Sequence, residues 1–149
     1  MKDLGTLDGN NSEGAALNAS GQVIGRASYG SSAFHAFLYS KGAMKDLGTL
    51  GGPGSHAVAI NTAGDVTGTS EIVANDWRAF LYTGGQMLDL NDLVDPASPL
   101  KDVVTLSAGK AITDTGYILA IGTNSQTNTS HAYVLRKQVQ CVPRGKRPC

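Results

Sequence analysis

The sequence predicts an all-β protein built from three units of about 43 residues, each with four short strands. The first observation is a repeat: Met1-Lys-Asp-Leu-Gly-Thr-Leu-Asp-Gly returns as Met44-Lys-Asp-Leu-Gly-Thr-Leu-Gly-Gly and, in degraded form, as Met87-Leu-Asp-Leu-Asn-Asp-Leu. The second is a turn-rich composition, with 19 glycines and only 16% charged residues. The third is that no apolar pattern of helical period extends over about ten residues. Repeats of this length indicate stacked or ring-closed supersecondary units.

Other blocks keep the same spacing and define the units. The matching blocks are Ala16-Leu-Asn-Ala-Ser-Gly with Ala59-Ile-Asn-Thr-Ala-Gly and Ala111-Ile-Thr-Asp-Thr-Gly, and His35-Ala-Phe-Leu-Tyr with Arg78-Ala-Phe-Leu-Tyr and His131-Ala-Tyr-Val-Leu. The third unit carries an insertion of about nine residues around 94–103. We therefore predict one β domain over 1–136, divided into 1–43, 44–86 and 87–136, and a disordered basic tail over 137–149.

The second unit shows the four predicted strands in order. Segment 44–50 places apolar residues at Met44, Leu47 and Leu50, and a Gly-Pro-Gly turn follows. Segment 57–60 is small and apolar, and it ends at Asn61-Thr-Ala-Gly, where the glycine suits a tight hairpin. Strand 66–70 comes next, then a variable loop, then strand 79–82, which ends at another glycine turn.

Two architectures fit four strands per unit. One is a partial ring of β-propeller-like blades, since a blade has four strands and closure needs about four to eight blades. The alternative is a β-trefoil, which closes with three lobes. Because Met1 stands where Met44 and Met87 stand, we expect the chain to begin in mid-pattern, as the C-terminal part of a larger array would.

Charge and hydropathy exclude several classes of partner. Lys plus Arg and Asp plus Glu each number 12, so no electrostatic footprint for nucleic acid is present. No apolar run approaches the roughly 20 residues of a membrane span, and no signal peptide precedes the first unit. Cys141 and Cys149 could close a small disulfide loop in the tail, whereas two cysteines alone do not predict a zinc site.

The repeated segments resemble the HAF repeat, a family of extracellular bacterial proteins called after its His-Ala-Phe signature. The resemblance rests on His35-Ala-Phe-Leu-Tyr, Met44-Lys-Asp-Leu-Gly-Thr-Leu-Gly-Gly and Ala59-Ile-Asn-Thr-Ala-Gly-Asp-Val-Thr-Gly, and it covers about 1–136. It implies a β-propeller-like ring of more than three repeats, export to the cell surface or medium, and a scaffold or binding role. Arg78 departs from the signature histidine, and the tail lies outside the pattern.

The recurring polar residues have structural explanations. His35 and His131 share a position with Arg78, which disfavours a catalytic or metal-binding histidine. Asp3, Asp46 and Asp89 also recur, and a carboxylate that accepts hydrogen bonds from a turn accounts for one aspartate per unit. No hydrolase elbow, zinc-binding helix or phosphate loop is present, so we predict no enzyme, no cofactor and no metal.

The variable loops before the fourth strand of each unit are the predicted binding region, because variable loops on a rigid repeated frame suit recognition. The candidate residues are Tyr29, Phe34, Glu71, Asn75, Asp76 and Trp77. Phe34 and Trp77 occupy one repeat position, so both could instead fill a seam between units.

The sequence thus predicts a non-catalytic extracellular scaffold or recognition module with a protein or glycan ligand. The alternatives are a carbohydrate-binding β-trefoil and a propeller-type glycan-active enzyme. Unclosed units would also expose edges that favour self-association.

Overall fold

The computed structural model describes residues 1–137, and this part of the chain is all β with no helix. Eleven strands form three antiparallel sheets. Sheet 1 contains β1 (Ser12–Leu17), β2 (Val23–Tyr29), β3 (Ala33–Ser40) and β4 (Ala43–Asp46). Sheet 2 contains β5 (Ser55–Ile60), β6 (Val66–Val73), β7 (Asp76–Thr83) and β8 (Gln86–Asp89). Sheet 3 contains β9 (Val104–Ile112), β10 (Tyr117–Asn124) and β11 (Thr129–Arg136). The all-β prediction is confirmed, whereas Cys141, Cys149 and the rest of the predicted tail beyond residue 137 lie outside the described residues.

Each sheet is a simple meander in which neighbours in sequence are neighbours in space. Equivalent positions of sheets 1 and 2 lie 43 residues apart: Phe37 pairs with Asp46, and Phe80 pairs with Asp89. The sheets are offset from the predicted units, because the Met-Lys-Asp segment at 44–46 is the last strand of sheet 1 and not the first strand of sheet 2. Its second half, 47–50, leaves the sheet and leads to β5.

The predicted variable loops are largely strand. β6 continues to Val73 and β7 begins at Asp76, so only two residues turn the chain. Asn75 adopts a φ of 67°, in the left-handed region that a tight hairpin requires and that asparagine tolerates better than most residues. Sequence variability here marks hairpin tips and not long loops.

The sheets pack face to face through two apolar seams. The first seam joins sheets 1 and 2 through Ile24, Ala36, Leu47, Ala57, Val66, Phe80 and Tyr82. The second joins sheets 2 and 3 through Ala79, Leu81, Leu90, Leu106, Ile118 and Ala120. Because side chains alternate across a strand, β7 supplies Phe80 to one seam and Leu81 to the other. Sheet 2 is therefore covered on both faces.

The chain segments between sheets reinforce these seams. After β4 the Leu47 N–H donates to the Ala36 carbonyl at 2.9 Å, and after β8 the Leu90 N–H donates to the Ala79 carbonyl at 2.9 Å. On the outer face of sheet 1, Leu4 and Leu7 pack against a third cluster that contains Ala27, Phe37 and Tyr39. Leu4, Leu47 and Leu90, which follow the aspartate of the repeated motif, thus occupy equivalent places.

None of the three sheets is closed. Within residues 1–137 every strand pairs only inside its own sheet, so the described strands do not provide the closure that three trefoil lobes require.

Candidate functional site

The candidate site is the rim formed by three hairpin tips, which we call the hairpin rim: residues 30–32, 74–75 and 125–128, between β2 and β3, β6 and β7, and β10 and β11. In a meander these tips lie at the end opposite to the first turn of each sheet. The first turns are joined in a row, because the Asn18 side chain donates to the Asn61 carbonyl at 2.9 Å and the Asn61 side chain donates to the Thr113 carbonyl at 3.3 Å. The hairpin tips therefore emerge together from the other rim.

Backbone hydrogen bonds hold the incoming segment of each sheet against its hairpin. In sheet 2 the Gly52 N–H donates to the Glu71 carbonyl and the Glu71 N–H donates to the Gly54 carbonyl, each at 2.9 Å. In sheet 1 the Ser28 N–H donates to the Asn11 carbonyl at 2.8 Å. A Cβ atom on Gly52 would lie 2.5 Å from the Glu71 Cβ, so glycine permits this close approach. The rim thus has a rigid frame.

At the tip of sheet 1, Tyr29 stacks on His35 with ring centroids 4.0 Å apart and an interplanar angle of 10°. The His35 Nδ1 lies 2.9 Å from the Asp46 Oδ2, so this carboxylate orients the imidazole. Tyr29 is 44% exposed. The stack holds one aromatic face and leaves the other side of the tyrosine accessible to a ligand.

A polar groove of about 350 Å³ lies beside this tip. Its lining consists of Gly9, Asn10, Asn11, Ser28, Gly30, Ser31, Ser32, Ala33 and Phe34. Amide and hydroxyl groups dominate this lining, and such groups fix the orientation of a polar ligand by hydrogen bonds. Of these residues the sequence predicts only Phe34 as a binding residue, because asparagine and serine are ordinary turn formers.

Tyr29 and Phe34 do not converge. Phe34 pairs with Ser28 across β2 and β3, so it shares the Ser28 face, and Tyr29 points to the other face. The Arg26 guanidinium lies 5.2 Å from the Phe34 ring and forms an ion pair with Glu13 at 2.7 Å. Phe34 therefore contributes to the wall of the groove and to the support of Arg26.

At the tip of sheet 2, the predicted residues do come together. Glu71 is buried, only 7% exposed, and its Oε1 accepts a hydrogen bond from the Asn75 N–H at 2.8 Å. Asp76 pairs with Arg78. Glu71 thus closes its own hairpin and exposes little surface to a ligand, and its role as a binding residue stays a prediction.

Trp77 lies against His56, with ring centroids 5.4 Å apart. A Cβ atom on Gly54 would lie 3.4 Å from the Trp77 ring and 3.7 Å from the Phe34 carbonyl. The tryptophan therefore packs on the segment that enters sheet 2, close to sheet 1. These contacts match the seam alternative better than an open sugar platform.

His56 was not predicted as part of a site, because it has no counterpart in the other units. Burial lowers the pKa of its imidazole from the ordinary value of 6.5, and the nearby Arg26 charge lowers it further. Glu13 and Glu71 act in the opposite direction. Burial and charge together thus favour the neutral imidazole beside Trp77.

The recurring aspartates have the predicted structural role. The Oδ1 atoms of Asp3, Asp46 and Asp89 accept the backbone N–H two residues later, at 2.9, 2.7 and 2.8 Å. Within residues 1–137 no group of three or more His, Cys, Asp and Glu side chains could hold a metal ion. The same residues contain no helix long and apolar enough to cross a membrane.

The chain was compared with protein-family models, curated proteins and solved structures, and none of them matches. The resemblance to the HAF repeat stays a prediction, and the function has to be argued from the hairpin rim itself.

Proposed function

We propose that this chain is a non-catalytic recognition scaffold that acts outside the cell and binds its ligand at the hairpin rim. The stacked sheets are propeller-like blades of one repeat, and they belong to a larger array. The weakly charged, glycine-rich composition agrees with this role.

The observation that carries the proposal is the contrast between frame and tips. The strands keep one pairing register at positions 43 residues apart, while the tips at 30–32 and 74–75 differ in sequence and in the pairing of the residues beside them. A rigid frame that presents divergent polar tips on one side is the arrangement that recognition surfaces use.

A glycan is the ligand class that the first tip favours. The groove on one face of this tip offers Asn10, Asn11 and Ser31, which can donate and accept hydrogen bonds. On the opposite face the exposed Tyr29 ring can pack against a sugar, so the ligand that we propose is an oligosaccharide that bends over the tip and contacts both faces. The absence of a charge cluster in the lining of this groove points to a neutral sugar.

A binding screen tests the proposal. The chain is offered an array of neutral and acidic oligosaccharides and, in parallel, a library of displayed peptides. We expect a ligand whose affinity falls at least about tenfold with Tyr29→Ala, the loss of one well-packed aromatic contact. Gln86→Ala, at the opposite rim, serves as the matched control and leaves binding unchanged.

Two results would contradict the proposal. The first is a ligand that binds equally well to Tyr29→Ala and to the wild-type chain. The second is cleavage of any oligosaccharide on the array, because turnover would replace the scaffold with a glycan-active enzyme.

A further inference from the structure

The free edge of sheet 3 and the first residues of the chain are complementary parts of one motif. Sheets 1 and 2 each end with a fourth strand, Ala43–Asp46 and Gln86–Asp89. Among the described residues sheet 3 has three strands, and its edge strand β11 pairs only with β10. Met1-Lys-Asp repeats the sequence of the fourth strand at 44–46 and yet pairs with no strand within residues 1–137.

No element within residues 1–137 packs on the outer face of sheet 3. Leu119 corresponds to Ile24 in sheet 1, and Val134 corresponds to Leu81 in sheet 2. Ile24 and Leu81 are 0% and 3% exposed, because the next sheet in the stack covers them. Leu119 and Val134 are 37% and 69% exposed. The following sheet thus buries this face in sheets 1 and 2, whereas the same face of sheet 3 is exposed.

The other end of the stack has the matching surface. The outer face of sheet 1 carries Phe37 and Tyr39, whose counterparts Phe80 and Tyr82 in sheet 2 pack against the preceding sheet. Leu4 and Leu7 already lie on this face, as Leu47 and Leu50 lie in the seam between sheets 1 and 2. The outer face of sheet 3 therefore resembles the face that each inner sheet presents to the next sheet, and the outer face of sheet 1 resembles the face that receives it.

We propose that a second copy of this chain docks head to tail on sheet 3. Its Met1–Asp3 segment adds the fourth strand to β11, and its sheet 1 covers the outer face of sheet 3. This assembly goes beyond the proposed recognition function and does not depend on it.

The internal pairs predict the register. Phe37, Leu38 and Tyr39 pair with Asp46, Lys45 and Met44. The corresponding pairs join Tyr133, Val134 and Leu135 of one copy to Asp3, Lys2 and Met1 of the next. The Leu4 N–H then donates to the Ala132 carbonyl, as Leu47 does to Ala36.

The neighbourhood of β11 leaves room for this strand. A groove of about 440 Å³ runs beside the edge, lined by Leu93, Val94, Asp95, Ser98 and the β11 residues Val134, Leu135 and Arg136. His131 on β11 corresponds to His35, whose imidazole meets Asp46 at 2.9 Å. Asp3 of the second copy would meet His131 in the same way. Because the two contacting surfaces differ, the contact is heterologous and generates a ring or a filament.

Sedimentation of the full chain over a wide concentration range tests the assembly. We expect the wild-type mass to rise to multiples of 15.4 kDa, and Val134→Asp to return it to 15.4 kDa with an unchanged β circular-dichroism spectrum. Val73→Asp is the control, because Val73 is 60% exposed at the hairpin rim, away from both surfaces. A wild-type monomer at every concentration, or a Val134→Asp assembly like the wild type, overturns the proposal.

Cross-linking tests the register separately. In a background with Cys141 and Cys149 replaced by serine, Lys2→Cys with Val134→Cys is expected to give chain-to-chain disulfides under mild oxidation, because directly opposite Cβ atoms lie about 4.5–5.5 Å apart. Lys2→Cys with Tyr133→Cys places the thiols on opposite faces and should give none. Equal yields from both pairs, or no link from either, contradict the pairing.

Discussion

Strands β7 and β11 occupy the same repeat position with a similar apolar pattern, and they have opposite surroundings. β7 contains Arg78-Ala-Phe-Leu-Tyr and is covered on both faces by sheets 1 and 3. β11 contains His131-Ala-Tyr-Val-Leu, and its face away from sheet 2 is open. Local sequence therefore specifies the strand and its alternation, while the position of the sheet in the stack decides which faces are buried.

The largest expected effect is a difference in stability between substitutions at one repeat position, which Leu81 occupies on β7 and Val134 on β11. Leu81→Ala removes a side chain from the seam between sheets 2 and 3, and we expect the free energy of unfolding to fall by about 2–5 kcal/mol. Val134→Ala, its counterpart on β11, should change it by less than about 0.5 kcal/mol. Urea unfolding at low protein concentration, where copies do not associate, measures both. Equal losses would show that the outer face of sheet 3 is covered.

A second comparison concerns the close pairing of the first two strands in each sheet. Gly68 on β6 faces Ala57 on β5, whereas in sheet 3 Ala120 on β10 faces Gly109 on β9. A Cβ atom on Gly68 would lie 2.0 Å from the His56 carbonyl oxygen. In sheet 1 both partners of the equivalent pair, Gly14 and Gly25, are glycine, so each sheet has at least one glycine in this pair.

We expect Gly68→Ala to lower the free energy of unfolding by about 1–3 kcal/mol or more, because the backbone of β5 must move. The control is Gly14→Ala on β1, whose Cβ atom would meet only the Val23 side chain, at 3.7 Å, and which should change the free energy of unfolding by less than about 0.5 kcal/mol. Thermal unfolding of the two variants compares them. A Gly68→Ala variant as stable as the wild type would mean that β5 moves freely.

The sequence alone could predict much of this fold and less of the site. The 43-residue period locates the hairpin turns at Asn18 and Asn61, because asparagine and glycine at fixed offsets have local backbone reasons. The period could not assign 44–46 to the preceding sheet, because a spacing of 43 residues is the same wherever the repeat unit is taken to begin. Glu71 was expected to face a ligand because polarity predicts exposure, but its bond to the Asn75 N–H arises only when the hairpin is formed.

A third and smaller effect distinguishes the first turns of the sheets. Asn61 is buried and links its turn to Thr113, while its Oδ1 accepts the Asp65 N–H at 2.9 Å. Asn61→Ala should cost about 1–2 kcal/mol, because it leaves buried backbone groups without partners. Thr113→Ala, in the exposed turn of sheet 3, should cost less than about 1 kcal/mol. Chemical unfolding compares the two variants. A larger loss for Thr113→Ala than for Asn61→Ala would mean that the turn of sheet 3 contributes more to the linked first turns than the turn of sheet 2 does.

The smallest expected effect is the pH dependence that His56 on β5 gives to the stability of the fold. Burial, and then the charge of Arg26, lower the pKa of His56 below its ordinary value of 6.5. Between the folded and unfolded pKa values the unfolded chain binds more protons, so His56 contributes its full stability above pH 6.5, and this contribution falls as the pH drops through the folded pKa. Unfolding measured from neutral to mildly acidic pH should therefore show a loss that His56→Gln removes. The matched control, His131→Gln, changes an exposed imidazole on β11 and should keep the loss. If instead His131→Gln removes it, the pH-sensitive contact lies at the open edge of sheet 3 and not beside Trp77.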